Sequence, residues 1–261
     1  MLRRAKPLLG TLVEVACEAA DEGAALQASQ AAFAAVLQVH RCMSRHEPGS
    51  DLGRLNAAAP GTWLAIDAQT VAVLAFALTL SRQTGGVFDV CASSSAQGSW
   101  RDLELDGGNR RVRRHAPVQA DLGGIAKGHA VDQAVAALCA AGAACGWVNA
   151  GGDMRVFGAL VLPLRVRAPW DLAQTLPCTH LRNQAAATSA SYLLEAPALR
   201  HGITKKPVDA STSWTVVAPK CIAADALTKL VAASGDTRHP VLARHGARAW
   251  VYHDGPTRAA A

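Results

Sequence analysis

The sequence predicts an α+β fold in which mixed or antiparallel sheets pack against helices, in a single domain over residues 1–261 with room for two subdomains. Strand-like and helix-like segments follow one another without the strict alternation that a doubly wound sheet needs. Half of the residues are hydrophobic and 18% are charged, which is enough for a large buried core. Ala and Gly dominate while aromatic residues are scarce, so closely packed helices are expected.

Four helices are predicted from apolar residues at helical spacing and from the stop signals that follow them. The longest is the Ala-rich segment Glu22–Met43, in which Phe33, Val36 and Val39 recur at that spacing. The others cover residues 69–84, 128–141 and 222–234. Residues 47–59 carry Pro, Gly, Ser, Asp and Asn, and they are predicted as a functional loop or a short helix.

Strands are predicted where β-branched or alternating residues lie between turn signals. They cover residues 11–17, 146–150, 160–168, 184–192, 214–218 and 248–252, with one more that follows Gly151-Gly152-Asp153 and ends at Phe157. Residues 103–112 are predicted to form a hairpin whose turn is Asp106-Gly107-Gly108-Asn109.

The net charge of +6 comes mainly from arginine, and basic residues cluster at 110–115 and 205–206. Such runs occur in nucleic-acid-binding proteins, but no aromatic residues are interleaved with them. Solvated turns are therefore the favoured interpretation, and no nucleic-acid partner is expected. A basic surface would also suit an anionic dinucleotide.

Other classes are disfavoured by what the sequence lacks. Seven cysteines are scattered without a CxxC pair, which argues against a zinc site or a disulfide framework. No apolar stretch reaches the ~18 residues that a membrane span needs. The basic N-terminus has neither the apolar core nor the cleavage site of a signal peptide, so a cytoplasmic location is expected.

The strongest candidate for ligand binding is the segment Asp121-Leu122-Gly123-Gly124-Ile125-Ala126-Lys127-Gly128. Adjacent glycines let backbone N–H groups approach a ligand, and the helix that follows offers its positive end. Lys127 adds a cation, so the segment suits a diphosphate. A tight turn that merely precedes a helix is about as good an interpretation, because the segment matches neither a Walker loop nor GxGxxG.

Three further segments place polar groups at turns or near helix starts. Residues 148–153 fit a β-hairpin that exposes two polar groups. Phe88, which Asp89 follows, either stacks on a planar ring or packs in the core. Asp225 either complements the dipole of its helix or ligates a hard cation.

Taken in order, these segments resemble the ApbE family of FAD:protein FMN transferases over nearly the whole chain. The similar segments are Leu9-Gly10-Thr11-Leu12-Val13-Glu14-Val15, Met43-Ser44-Arg45-His46 through Asn56, and residues 84–89, 121–128, 148–153 and 223–227. Each is modest alone, and their common order identifies the family.

The resemblance implies a cleft that binds FAD, with Mg²⁺ at the diphosphate. The metal is implied to be held by the backbone oxygen of Ala126, by Asp225 and by a Thr one turn later. Here Thr228 stands one position before the family's Thr, and Lys229 occupies that position. FAD contacts are implied for Met43, Val87, Phe88, Asp89, Asp121, Gly123, Gly124 and Lys127.

Two departures from the family affect the site. Lys229 lies one helical turn after Asp225, so the two side chains are predicted to project from the same face. An ammonium there would neutralise Asp225 and compete with a divalent ion, so we expect a weaker dependence on Mg²⁺ than is usual in the family. The segment similar to the family's His-Ile-Ile-Asp-Pro begins at His201, which is implied in flavin transfer, but it has Thr204 in place of Asp.

The implied reaction is attack by a Thr or Ser hydroxyl of an acceptor protein on the FMN phosphorus of FAD, with release of AMP. The acceptor is expected to carry a short Ser/Thr flavinylation motif. Either Asp121 or His201 is predicted to act as the general base. Two alternatives are hydrolysis of FAD to FMN and AMP, and non-catalytic FAD binding with Lys229 as a built-in cation.

Overall fold

A computed structural model describes residues 1–93, 98–190, 199–208 and 212–253 of the chain. Its strands are β1 (Leu2–Leu8), β2 (Thr11–Glu18), β3 (Leu64–Ala65), β4 (Leu103–Asp106), β5 (Arg111–Arg114), β6 (Cys145–Ala150), β7 (Asp153–Phe157), β8 (Leu162–Ala168), β9 (Asp171–Leu181), β10 (Ala185–Ala190), β11 (Ser213–Ala218) and β12 (Arg248–Tyr252). Its α-helices are α1 (Glu22–Met43), α2 (Asp51–Ala57), α3 (Ala68–Gln83), α4 (Ala126–Ala140), α5 (Cys221–Ser234) and α6 (Pro240–Arg244).

The strands form three antiparallel sheets, which confirms the predicted fold class. The largest has the order β1-β2-β6-β7-β10-β11-β12, while β3-β5-β4 and β8-β9 form two smaller sheets. Helix α1 packs on α4, α4 packs on α5, and α5 lies against β10 and β11. The main hydrophobic core lies between these helices and the large sheet.

Most predicted elements are confirmed, and α1 has the predicted bounds. The segment 47–59 contains the short helix α2, and 103–112 forms the β4–β5 hairpin. Helix α4 begins at Ala126, two residues before the predicted start. The strand predicted over 184–192 is β10, and its last two predicted residues lie outside the described residues.

Four of these strands and helices were not predicted: β1, the two-residue β3, β9 and α6. Strand β1 is basic and contains Pro7, a composition that suits the edge of the sheet where it pairs with β2 alone. Strand β9 contains Pro177 and, among the strands in the described residues, pairs only with β8. Helix α6 is a single short turn that begins at Pro240. None of these segments shows a periodic apolar pattern. Each takes its structure from the strand it pairs with or from the residues packed around it.

Two buried carboxylates join α4 and α5 by capping each other's helices. Neither Ile125 nor Lys220, the N-cap residues of α4 and α5, makes a side-chain capping bond. Asp132 of α4 instead accepts from the backbone N–H groups that begin α5, at 3.0 and 2.9 Å. Asp225 of α5 accepts from Gly128 N in the first turn of α4, at 2.9 Å. Each helix thus supplies the cap that the other lacks.

Gly128 allows this close helix contact. A Cβ atom at this position would lie 2.3 Å from the backbone oxygen of Cys221 and 2.7 Å from the Cβ of Asp225. The glycine therefore serves packing between α4 and α5 rather than loop geometry.

The turn between β6 and β7 is the predicted hairpin. Gly151 and Gly152 both have positive φ angles, +63° and +99°, as a type I′ turn requires. Asn149 Oδ1 accepts from Gly152 N at 3.0 Å. The turn places Asp153 at the buried start of β7, beneath α4.

The basic run at 110–115 forms β5 and is largely paired. Arg111 pairs with Asp106, and Arg113 pairs with Glu104 across the hairpin. Arg114 is buried and donates to backbone oxygens. In the part of the chain that the structure describes, no helix combines the length and apolarity needed to cross a bilayer.

Candidate active site

A cleft of about 980 Å³ opens where the start of α4, the β6–β7 turn and the segment after α3 meet. Seven of the residues predicted to contact FAD line it: Val87, Phe88, Asp89, Asp121, Gly123, Gly124 and Lys127. The sequence segments that suggested a flavin site are therefore brought to one place. That FAD binds there stays a prediction.

The other candidate residues do not line this cleft. Met43 is the last residue of α1 and is buried in the hydrophobic core. Ala126 is the first residue of α4, and both Asp225 and Thr228 are completely buried on α5. His201 lies in the neighbouring segment 199–208.

The glycine segment before α4 is a tight turn whose ends face the cleft. The N–H groups of Ile125 and Ala126 both donate to Leu122 O, at 3.0 and 2.8 Å. Gly123 N donates to Asp121 Oδ1 at 2.8 Å. Neither glycine of this turn has a positive φ angle. The backbone of this segment is thus the tight turn that the sequence analysis gave as an alternative. An anion site here depends on the lysines around the turn.

Asp121 is held from both sides. Its Oδ1 accepts from Gly123 N, and its Oδ2 pairs with Arg45 Nη1 at 2.8 Å. Arg45 also lines the cleft, and it belongs to the segment that resembles the family near Met43. As a general base, Asp121 would have to take the proton on an oxygen that already accepts a hydrogen bond.

Four charged side chains form two ion pairs beside the turn. Lys127 pairs with Asp153, and Lys229 pairs with Asp225, as the one-turn spacing on α5 predicted. The two carboxylates have exposures of 1% and 0%, while the side chains of Lys127 and Lys229 are 33% and 17% exposed. Both lysines line the cleft. We refer to these four residues as the Lys–Asp quartet.

The two carboxylates of the quartet differ in acidity. Burial and the nearby charge of Asp225 raise the pKa of Asp153 to about 6. Burial also works to raise the pKa of Asp225, but Lys229 and Lys127 outweigh it and hold that pKa below its usual value. Asp225 is therefore the more firmly ionised of the two.

The residues implied as metal ligands do not fit a divalent ion as they stand. Lys229 takes Asp225 Oδ1, and Gly128 N donates to Oδ2. The Thr228 hydroxyl donates to the backbone oxygen of Asp225 at 2.7 Å and hydrogen-bonds Ser189 Oγ at 2.6 Å. Within the described residues there is no group of three or more His, Cys, Asp or Glu side chains arranged for a metal.

Asp89 connects the segment after α3 to the segment that contains His201. Its Oδ1 accepts from the backbone N–H groups of Cys91 and Trp100 at 2.7 and 3.0 Å, and its Oδ2 pairs with Lys205 Nζ at 3.1 Å. Gly202 N donates to Val87 O at 3.0 Å. These bonds indicate that Asp89 shapes the wall of the cleft through its partners.

The ring of His201 is turned toward its own loop. Its Nδ1 accepts from the backbone N–H groups of Ile203 and Thr204 at 3.2 and 3.3 Å. A neutral imidazole that accepts at Nδ1 carries its proton on Nε2, so it offers a donor at that atom. This arrangement suits a hydrogen-bond donor at Nε2 better than a base.

The structure adds cleft residues that the sequence did not single out. They are Arg165 and Arg167 of β8, Arg200, and Trp214 of β11. The alternation of Arg165 and Arg167 along β8 puts both on one face, a period-two signal that was available in the sequence. Among the described lining residues, six Arg and Lys side chains face three carboxylates, so the cleft suits an anion.

Known proteins resemble the chain in sequence and in fold. A curated FAD:protein FMN transferase of Rhodobacter capsulatus is 27% identical over 93% of this chain, which spans only 53% of that relative. Flavin transferase ApbE from Vibrio cholerae superposes with a TM-score of 0.81 at 19% identity, over 100% of this chain and 97% of its own. The ApbE protein of Thermotoga maritima gives 0.81 at 23% identity, over 98% and 95%.

The family assignment rests on sequence as well as fold. The sequence pattern that defines the ApbE family matches residues 9–101 and 91–251. These ranges include the turn before α4, the β6–β7 hairpin and all of α5. The chain belongs to the ApbE family.

Proposed function

We propose that this protein transfers the FMN half of FAD to a Thr or Ser hydroxyl of an acceptor protein, with release of AMP. The observation that carries the proposal is the convergence of Lys127 and Lys229 on the tight turn at the start of α4, in a cleft with an excess of positive charge. A diphosphate is the part of FAD that such a site would hold. The name of the Rhodobacter capsulatus relative supports the reaction.

The proposed reaction exchanges one P–O bond for another. The acceptor oxygen forms a bond to the FMN phosphorus, and the bond from that phosphorus to the bridging oxygen breaks, so AMP leaves with that oxygen. The hydroxyl proton passes to a base, for which Asp121 is the better placed candidate because it lines the cleft. Transfers of this kind depend mainly on positioning and on charge neutralisation, which the two lysines would provide.

The proposed reaction does not assign a role to magnesium. The residues that would hold it are Ala126, through its backbone oxygen, and Asp225. Thr228 would have to exchange its present partners to join them. No step of the proposed reaction depends on a metal.

Non-catalytic FAD binding is a second candidate, favoured by the engagement of both Asp121 oxygens and by the orientation of His201. Incubation with FAD and an acceptor that carries a Ser/Thr flavinylation motif separates the possibilities. Flavin covalently attached to the acceptor indicates the transferase. Free FMN and AMP without attachment indicate hydrolysis, and unchanged bound FAD indicates a binding protein.

We expect the protein to bind FAD more tightly than FMN or riboflavin, because FMN lacks the second phosphate. The variant Lys127→Ala, made together with Asp153→Asn so that no buried carboxylate is left unpaired, should lose about 1.5–3 kcal/mol of FAD binding. Calorimetric titration measures this. Lys220→Ala removes the same charge from an exposed lysine outside the cleft and serves as the control. Equal affinities for FAD and FMN would contradict the assignment of the diphosphate to this site.

A further inference from the structure

We infer that the ammonium group of Lys229 takes the place of a divalent cation in holding the FAD diphosphate, so that FAD binding by this chain does not need a metal. The inference rests on the proposed function, which places FAD in the cleft. It concerns how the diphosphate is neutralised and not which acceptor is used.

Two contacts fix the position of Lys229, and a third holds its partner Asp225. It lies one turn after Asp225 on α5 and pairs with that carboxylate. Its methylene groups lie under the tight turn, since a Cβ atom on Gly124 would be 3.2 Å from Lys229 Cε and 3.4 Å from its Cγ. Asp225 is itself held by Gly128 N. The ammonium therefore belongs to a fixed network and is not a mobile surface charge.

The quartet is arranged with its positive groups toward the cleft. Lys127 and Lys229 line the cleft, whereas Asp153 and Asp225 lie behind them and are completely or almost completely buried. An approaching anion would thus meet two ammonium groups first.

The charge balance of the quartet opposes a divalent ion. Two ammonium groups already offset two carboxylates, and the Asp225 oxygen that a metal would need is taken by Lys229. A divalent ion could bind that oxygen only if it displaced the ammonium of Lys229 from its buried partner, which is costly. A diphosphate brings negative charge on both phosphates, which complements the two lysines.

The test is FAD binding, measured by flavin fluorescence or calorimetry, in EDTA and in Mg²⁺. The wild-type affinity should agree within about twofold between the two conditions. Lys229→Thr should lose about tenfold or more in EDTA and recover most of that loss with Mg²⁺. Lys220 is exposed and does not line the cleft, so Lys220→Thr is the control and should bind FAD like the wild type in both conditions.

The wild-type comparison decides the inference even if Lys229→Thr folds poorly. The double variant Lys229→Met/Asp225→Asn removes both charges together, and it should bind FAD weakly with or without Mg²⁺. A loss of wild-type binding of about tenfold or more in EDTA would overturn the inference while leaving the proposed transfer intact. Tight FAD binding in EDTA without flavin attachment to any acceptor would overturn the transfer and support the inference. Absence of FAD binding in both conditions would overturn both.

Discussion

Replacement of Asp132 by Ala should lower the free energy of unfolding by about 3–5 kcal/mol, the cost of breaking a buried charge pair on one side. Asp132 accepts from the first two N–H groups of α5 and also pairs with Arg155 Nη1 at 2.7 Å. Removing the carboxylate leaves those N–H groups without their cap and leaves Arg155 without its partner. Urea denaturation of the purified variant measures the change.

An ordinary helix cap provides the matched control. Asp21 caps α1 from the exposed side, accepting from Ala24 N at 2.8 Å. Its replacement by Ala should cost only about 1 kcal/mol, as is typical of an exposed N-cap. If Asp132→Ala costs no more than Asp21→Ala, the capping of α5 by α4 does not stabilise the fold as we argue.

The same substitution should affect the cleft because α5 carries Asp225 and Lys229. Without this cap, α5 is held less firmly against α4. The Lys–Asp quartet has members on both helices, so its geometry should be disturbed as well. Stability and FAD affinity should therefore fall together in Asp132→Ala, whereas Asp21→Ala should leave the affinity unchanged.

The sequence could predict features that depend on residues close along the chain. The bounds of α1 followed from the spacing of its apolar residues. The β6–β7 hairpin followed from Gly151-Gly152, because a type I′ turn needs two positive φ angles. The pairing of Asp225 with Lys229 followed from helical geometry.

Features that join distant residues were beyond local patterns. The sequence offers Lys127 as a cation for a ligand but does not reveal its partner Asp153, which is 26 positions away. The sequence allows Asp225 to complement the dipole of its own helix or to ligate a cation, whereas in the structure it caps α4 through Gly128, 97 positions away. In the same way β1 and β9 are strands because of their partners and not because of their composition.

Gly124→Val should weaken FAD binding about as much as the loss of Lys229 does, by about tenfold or more in EDTA, because the Val side chain would displace Lys229. Gly124 does not have a positive φ angle, so backbone strain is not the reason. A Cβ atom at this position would instead point at the stem of Lys229, 3.2–3.6 Å from its Cε, Cγ and Cδ atoms. The larger Val side chain must push Lys229 aside, so its ammonium leaves Asp225 and the cleft.

This mechanism can be separated from simple blockage of the diphosphate. If Val acts by displacing Lys229, then in a Lys229→Ala background the further loss caused by Gly124→Val should be small, since the stem is already gone. If Val fills the space of the diphosphate itself, the further loss should be as large as in the wild type. Gly107→Val, in the exposed β4–β5 turn where a Cβ atom meets only Val71 at 3.7 Å, is the control and should bind FAD normally. If the losses of FAD-binding free energy at positions 124 and 229 are not additive, Gly124 acts by leaving room for Lys229. Full additivity would show that the two residues act independently.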